Sequence, residues 1–413
     1  MTTLNTRTDS MSSVHGLILT PEGPIEGCLI WEACHIKAVL AEAPTADQHE
    51  RQGALIVPGF IDLHVHGAAG RDFMDAADSA STIAALHARH GTCAMLATTM
   101  TAPIEAIRCA LASIAAAMQK QSNRRACQRD PSELRPFSQA DQPAEPFEAE
   151  ILGVHLEGPY LSAQKLGAQP AHTKTASLEE IMSLHAIAAL RIITLAPENE
   201  AHLRLIVALR DAGFAVQLGH SEASYALAKQ AFGCGARGVT HLFNAMSGFH
   251  HRSPGLVGAS LAHAEFAEII PDLLHVHPGA MLAAYRAIPG LYAVTDATAA
   301  TGMPDGSYRL GEQTVQRCLG SVRLPDGSLA GSALTMDQAF RNLVSIGLSL
   351  NQASEMLSER PAQMLELTDR GRISKDYRAD FVVLDRDNLL VQQVVIGGRV
   401  LNLRHSALSQ SSP

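Results

Sequence analysis

Two histidines separated by one residue, His64 and His66 in PGFIDLHVHG (58–67), are the first residues able to do chemistry together. On a strand, residues two apart point to one face, so both imidazoles reach the same side. Such a pair at the C-terminal end of a strand suits a divalent metal, although HxH also arises by chance. A second cluster, GVHLEGPYL (153–161), places Glu157 at the end of an apolar run, directly before Gly-Pro. A carboxylate is costly to bury there unless something positive holds it. A cation would do so; a helix cap or salt bridge is the plainer explanation. His155 faces the same way, as a support for the cluster or as simple packing.

VQLGHSEAS (216–224) sets His220 just past an apolar strand, and GVTHLFNAMSGFHHRSPG (238–255) sets His241 past the next. AVTDATAATG (293–302) does the same for Asp296. A carboxylate beside an activated water can take its proton and return it to a leaving group. Each cluster alone has a bland reading as a turn or cap. Four histidines, a glutamate and an aspartate, all at strand C-termini, form the arrangement a metal hydrolase requires in a barrel.

The elements that would position them alternate along the middle of the chain. Apolar, β-branched runs at 54–57, 60–65, 93–98, 151–156, 192–195, 216–219, 239–243 and 291–295 read as strands. Segments 79–90, 103–118, 178–185, 201–212 and 225–232 have helical spacing. Strand–helix alternation over this length predicts an α/β fold, a closed (β/α)8 TIM-like barrel. Both ends look different. Short strands at 14–20, 27–31 and 36–40, and again at 379–384 and 391–396 with a Gly397-Gly398 turn, predict a small β-sandwich domain built from both termini. The expected division is 1–57 plus 370–413 for the small domain and 58–369 for the barrel. A polar, Pro-rich stretch around 119–150 reads as a surface loop insertion.

Composition limits the function classes. The chain has 413 residues, 46 % hydrophobic and 18 % charged, with a net charge of −9. That excludes a wholly disordered chain and makes nucleic acid and anionic membrane poor bulk partners. No apolar run reaches the ~18 residues of a membrane span, and the polar N-terminus lacks a signal-like apolar region. Seven cysteines without a CxxC pair suggest reduced thiols and a cytoplasmic protein. An anionic substrate would need a local basic spot.

Taken together, PGFIDLHVHG, HLEGPYL, LAPE, GHS, HLFNAM, HHRSPG, LLHVHP, VTDA and LAGSALTMDQAFRN resemble the amidohydrolase superfamily. Within it they resemble the N-acetylglucosamine-6-phosphate deacetylase family, in order from residue 58 to 342. ADFVVLD and VIGGRV extend the likeness to the C-terminal end. The resemblance implies hydrolysis of the acetamide of N-acetylglucosamine 6-phosphate, giving glucosamine 6-phosphate and acetate. It implies that Glu157, His220 and His241 hold one divalent metal. His64 and His66, sharing Glu157, would hold a second; zinc or iron is expected, with manganese or cobalt as other choices. Asp296 would be the catalytic carboxylate, and His275 would contact substrate near the acetyl group. Asn244, the Ala245 backbone and Arg252 would bind phosphate, with Gln169, Leu329 and Ala330 also at the substrate. The family's homodimer implies that Arg252 reaches the neighbouring subunit's site.

Two positions depart from the family pattern. Gln169 stands 12 residues after Glu157, where many relatives have a sugar-contacting histidine. Leu273 follows Asp272 where relatives usually have glycine. Three rival readings remain. One is the N-acetylgalactosamine 6-phosphate isomer. Another is a cyclic amidase such as a dihydroorotase, many of which use a carboxylated lysine between metals. The third is a metal-containing scaffold without turnover.

Overall fold

A computed structural model describes residues 11–41, 53–75, 78–128 and 146–403. Eight parallel strands, hydrogen-bonded in chain order, form one sheet. They are β1 (Phe60–Val65), β2 (Thr92–Thr98), β3 (Glu150–Glu157), β4 (Leu190–Leu195), β5 (Ala215–Leu218), β6 (Gly238–Val239), β7 (Phe266–Ile269) and β8 (Gly290–Ala293). Every residue of β1 and β2 is buried, as expected for strands covered on both faces.

One helix follows each strand: α1 (Ser79–Arg89), α2 (Ile104–Gln128), α3 (Leu178–His185), α4 (Glu200–Asp211), α5 (Tyr225–Cys234), α6 (Gly255–His263), α7 (Pro278–Ala287) and α8 (Met336–Ser345). Helix α4 shows why. Asn199 caps it by accepting from the Ala201 amide, and His202, Leu205, Ile206 and Leu209 recur on one face and are buried. No helix among the described residues is long and apolar enough to cross a membrane.

The barrel closes at its C-terminal rim. The Asp296 amide donates to His64 O at 2.9 Å, and the amides of His66 and Gly67 donate to Ala297 O at 2.8 and 2.9 Å. Below this, the Thr295 hydroxyl donates to Asp62 Oδ2 at 2.6 Å. Burial pushes the Asp62 carboxyl up to about 7, against the hydrogen bonds from Thr295. The helical layer closes as well. His90, just past α1, lies 3.1 Å from Asp337 Oδ1 in the first turn of α8.

That contact carries a pH dependence. Burial alone would raise the Asp337 carboxyl; the His90 hydrogen bond, then Arg341 and Thr335, reverse this and hold it at about 2. A depressed carboxylate stabilises the fold above its unfolded value near 3.8, and the contribution is lost as pH falls through the folded value. Asp337→Asn is therefore expected to lower stability by about 2 kcal/mol near neutrality. In thermal melts across pH, its deficit against wild type should shrink between pH 4 and pH 2.

The terminal strands join one seven-stranded sheet. From edge to edge it runs Arg399–Asn402, Val391–Ile396, Phe381–Asp385, Ala54–Pro58, Ser12–Thr20, Gly23–Glu32 and His35–Ala41. Leu55 and Val57 face the barrel core, whereas Ile56 faces a separate core with Ile18, Leu29, Trp31 and Phe381. Trp31 and Phe381 are three strands apart, roughly 14 Å in a flat sheet, yet their ring centroids lie 5.1 Å apart. The sheet therefore folds over on itself, as a small β-sandwich does.

Four expectations need correction. The polar segment from 119 is not all loop, because α2 runs on to Gln128. Gln121 is buried and donates to Ala149 O at 2.9 Å, so these polar residues have structural partners. Residues 129–145 of the expected insertion lie outside the described residues. The strand expected at 239–243 stops at Val239, because His241, Phe243 and Ala245 take left-handed φ of 30°, 81° and 49°. Strand β7 was not expected, and neither was the antiparallel sheet Gly306–Leu310, Gln313–Cys318 and Ser321–Arg323 between β8 and α8.

Candidate active site

Strand ends bring the expected residues together. His64 Nε2 and His66 Nε2 lie 3.1 Å apart, and His220 Nε2 and His241 Nε2 3.0 Å apart. Glu157 stands between the pairs. Its Oε1 is 3.1 Å from both His220 Nε2 and His241 Nε2. Its Oε2 is 3.5 Å from His64 Nε2 and 3.2 Å from His66 Nε2. Asp296 Oδ1 sits 3.4 and 3.3 Å from the same two nitrogens. All six residues are buried.

Local backbone geometry aims these side chains. His220, His241 and Asp296 all have left-handed φ, 48°, 30° and 50°, immediately past their strands. Non-glycine residues in this region carry about 1–3 kcal/mol of strain each, and such strain gathers at functional sites. Glu157 ends β3, and Gly158 follows with φ 77°; a Cβ there would collide with Thr101 Oγ1. Only glycine lets the chain turn that closely beneath the carboxylate.

The donor set fits divalent cations. The four imidazole Nε2 atoms converge in two pairs, 3.0–3.1 Å apart within each pair, around the Glu157 carboxylate. Tetrahedral zinc, with ligands at about 2.0–2.1 Å, spaces donor atoms about 3.3 Å apart. Glu157–His220–His241 and His64–His66–Asp296 each gather their ligand atoms within 4.8 Å. His220 is oriented for this role, since its Nδ1 lies 2.8 Å from Lys165 O.

Electrostatics agree. Burial would raise the Glu157 carboxyl, but His64 and the hydrogen bonds from His220 and His241 hold it well below its usual value. Burial opposes ionisation of Asp296 too, and His64 and His66 overcome it, holding that carboxyl at about 2. Burial would lower His66, yet its bonds to Asp296 and Glu157 raise it to about 9. The carboxylates thus favour positive charge on His66 and His241, the service a metal would perform. Asp296 is held ionised.

An open cavity meets these groups. His66, Glu157, His220, His241 and Asp296 form one wall, and Gln169, Asn244, Ala245, His275 and Leu329 complete it with Met100 and Leu310. Leu310 comes from the unexpected antiparallel sheet. No lysine lines the cavity among the described residues. Gln169 is committed: its Oε1 accepts from the Thr101 amide and its Nε2 donates to Glu157 Oε2, both at 2.7 Å. It serves the central carboxylate and keeps one further N–H. The imidazole of His275 is fixed by Asp272, with Nδ1 and Oδ2 2.6 Å apart. Leu273 takes φ 66°, in the left-handed region that favours glycine; Asp272 Oδ1 holds the turn through the amides of Leu274 and His275.

Two expected substrate residues do not line the cavity of their own chain. Ala330 is fully buried and packs with Met100, Leu310, Val315 and Val322 behind the cavity. Arg252 is exposed and does not line the cavity of its own chain; its NH1 is 2.8 Å from His251 Nε2. Sequence reasoning also missed Glu268 on β7, whose Oε2 lies 2.9 Å from His64 Nδ1. A glutamate inside the short run FAEII was the available signal. His155 proves to be support: its Nε2 is 2.7 Å from Thr194 Oγ1, and burial lowers it to about 4.

A family model for the amidohydrolase family matches residues 55–401. The chain belongs to the amidohydrolase family. Among relatives, N-acetylglucosamine-6-phosphate deacetylase of Lysinibacillus sphaericus is 39 % identical over 366 residues, covering 87 % of this chain and 88 % of its own. N-acetylgalactosamine-6-phosphate deacetylase of Escherichia coli O157:H7 is 38 % identical over 391 residues, covering 93 % and 97 %. A solved Mycobacterium smegmatis N-acetyl-D-glucosamine-6-phosphate deacetylase, a mutant in complex with N-acetyl-D-glucosamine-6-phosphate, superposes with a TM-score of 0.82 at 32 % identity. It covers 95 % of this amidohydrolase and 100 % of its own chain.

Proposed function

We propose that this amidohydrolase removes the acetyl group of N-acetylglucosamine 6-phosphate, yielding glucosamine 6-phosphate and acetate. The observation that carries the reading is Glu157, each of whose oxygens faces two imidazoles, with ionised Asp296 beside them at a cavity wall. Glu157, His220 and His241 would hold one divalent cation, and His64 and His66, with Glu157 shared, a second. Zinc or iron suits these donors, as do manganese and cobalt. Cations bound there would supply Lewis acidity at the amide.

The chain's own groups do the rest. Asp296 accepts a proton from the attacking water and gives it to the amine nitrogen as the C–N bond breaks. His275, braced by Asp272, contacts the acetyl oxygen. Asn244 and the Ala245 backbone bind the phosphate from within the chain. Arg252 completes that site from a second copy, in a homodimer, because in its own chain it stands outside the cavity. A cytoplasmic location fits a phosphosugar substrate.

Acetate release by metal-replete protein is the test, with N-acetylglucosamine 6-phosphate and unphosphorylated N-acetylglucosamine side by side. Release from the phosphorylated sugar alone is expected; equal release from both would discard the phosphate site. Arg252→Ala should raise KM for the phosphorylated sugar about 10- to 100-fold, the worth of a charged hydrogen-bonded pair, with Tm unchanged. N-acetylgalactosamine 6-phosphate belongs in the same assay. The galactosamine-type relative covers more of both chains than the Lysinibacillus enzyme, and faster turnover of that isomer would reassign the sugar.

A further inference from the structure

We infer that Glu268 is a positioning residue that sets the affinity of the His64–His66 half of the site. The inference rests on the metal reading above. Glu268 is fully buried on β7, inside the barrel and behind the cavity. A carboxylate in such a place is costly unless it is paired and hydrogen-bonded. Its Oε2 lies 2.9 Å from His64 Nδ1 and accepts from the His241 amide at 3.2 Å. Its Oε1 accepts from the Tyr292 hydroxyl at 3.2 Å, and that hydroxyl accepts from Gln217 Nε2 at 2.6 Å.

The consequence for His64 is a fixed tautomer. With the proton on Nδ1 and donated to Glu268, Nε2 turns its lone pair toward His66, Glu157 and Asp296. A carboxylate in this place also makes the ring a better ligand. The other ring of the pair lacks such help: His66 Nδ1 has no hydrogen-bond partner among the described residues. His64, His155 and Glu268 do come close enough to suggest a third metal group. Both His155 nitrogens are already engaged, by Leu63 O at 3.2 Å and Thr194 Oγ1 at 2.7 Å, so the cluster is a support.

The test is Zn²⁺ titration of the metal-stripped full chain against a chelating dye, with elemental analysis for stoichiometry. Wild type is expected to take two equivalents. Glu268→Gln keeps an oxygen for the His241 amide but loses the charge on His64. It should weaken one ion about 10- to 100-fold, the usual cost of losing such a partner, and leave the other within about threefold. In a His66→Ala background the same change should do nothing further. Tyr292→Phe, which touches only the other oxygen, should bind both ions as wild type does.

If Glu268→Gln binds both ions normally, the assignment is wrong. It is equally wrong if wild type holds only one ion, or if Tyr292→Phe loses the same ion. A wild type that binds no Zn²⁺ overturns the metal reading itself. Should the Glu268 variant fail to fold, ring ¹⁵N shifts of His64 in wild type decide: Nδ1–H supports the role, and Nε2–H overturns it.

Discussion

Asp296→Asn is expected to lower kcat about 10²- to 10⁴-fold, the usual worth of a positioned acid–base group. The amide keeps the size of the carboxylate but can neither accept the water's proton nor return it. The Asp296 backbone amide still donates to His64 O, so the closure of the barrel should survive. Metal content on Glu157, His220 and His241 should match wild type, since Asp296 lies among the other pair, while the lost charge beside His64 and His66 should lower the Tm of the metal-free chain without abolishing the cooperative melt. Steady-state acetate release is the measurement. Near-wild-type turnover would remove Asp296 from the mechanism and leave proton transfer unassigned.

The second large effect belongs to Glu157→Gln. Four imidazole nitrogens, two on each oxygen, face this one carboxylate at 3.1–3.5 Å. Losing its charge should weaken both ions at once, whereas His66→Ala should weaken only one. Stoichiometry is expected to fall below one equivalent per chain, and deacetylation with it. In the metal-free chain, taking one partner from a buried ionic cluster costs about 3–5 kcal/mol, so the Tm should drop as well. Retention of one full equivalent would show that the two halves do not share Glu157.

Much of the site was legible because catalytic side chains in this fold sit at strand ends. HxH after FIDL, Glu157 before Gly-Pro, and His220, His241 and Asp296 after apolar runs can all be placed from one chain. What sequence reading missed has physical causes. Strand β7 has four residues, and Glu268 interrupts their apolar character. The residue looks misplaced only if barrel interiors are assumed to be apolar. Here Gln217, Tyr292 and Glu268 form a polar chain through that interior, so the hydrophobic pattern fails there. The sheet at 306–323 alternates between half-buried and exposed residues and carries few apolar ones. Gln169 shows the converse limit. Its amide could plainly make hydrogen bonds, yet only the fold shows that Thr101 and Glu157 occupy most of them. Arg252 suited a phosphate by type, and its place outside the cavity depends on where the 247–254 loop turns.

The rim contacts between His64, His66 and residues 296–297 also bear on how the protein is made. The histidine pair leaves the ribosome early, and the aspartate it faces follows more than two hundred residues later. Until then the growing chain carries ligands without their base, and the first strand has an open edge. Hydrolytic competence should therefore arise in one step, when the last strand docks on the first. A nascent or truncated chain ending before residue 290 could bind metal through Glu157, His220 and His241 and still be inert. Turnover in this family of barrels would then report completed assembly more faithfully than metal content does.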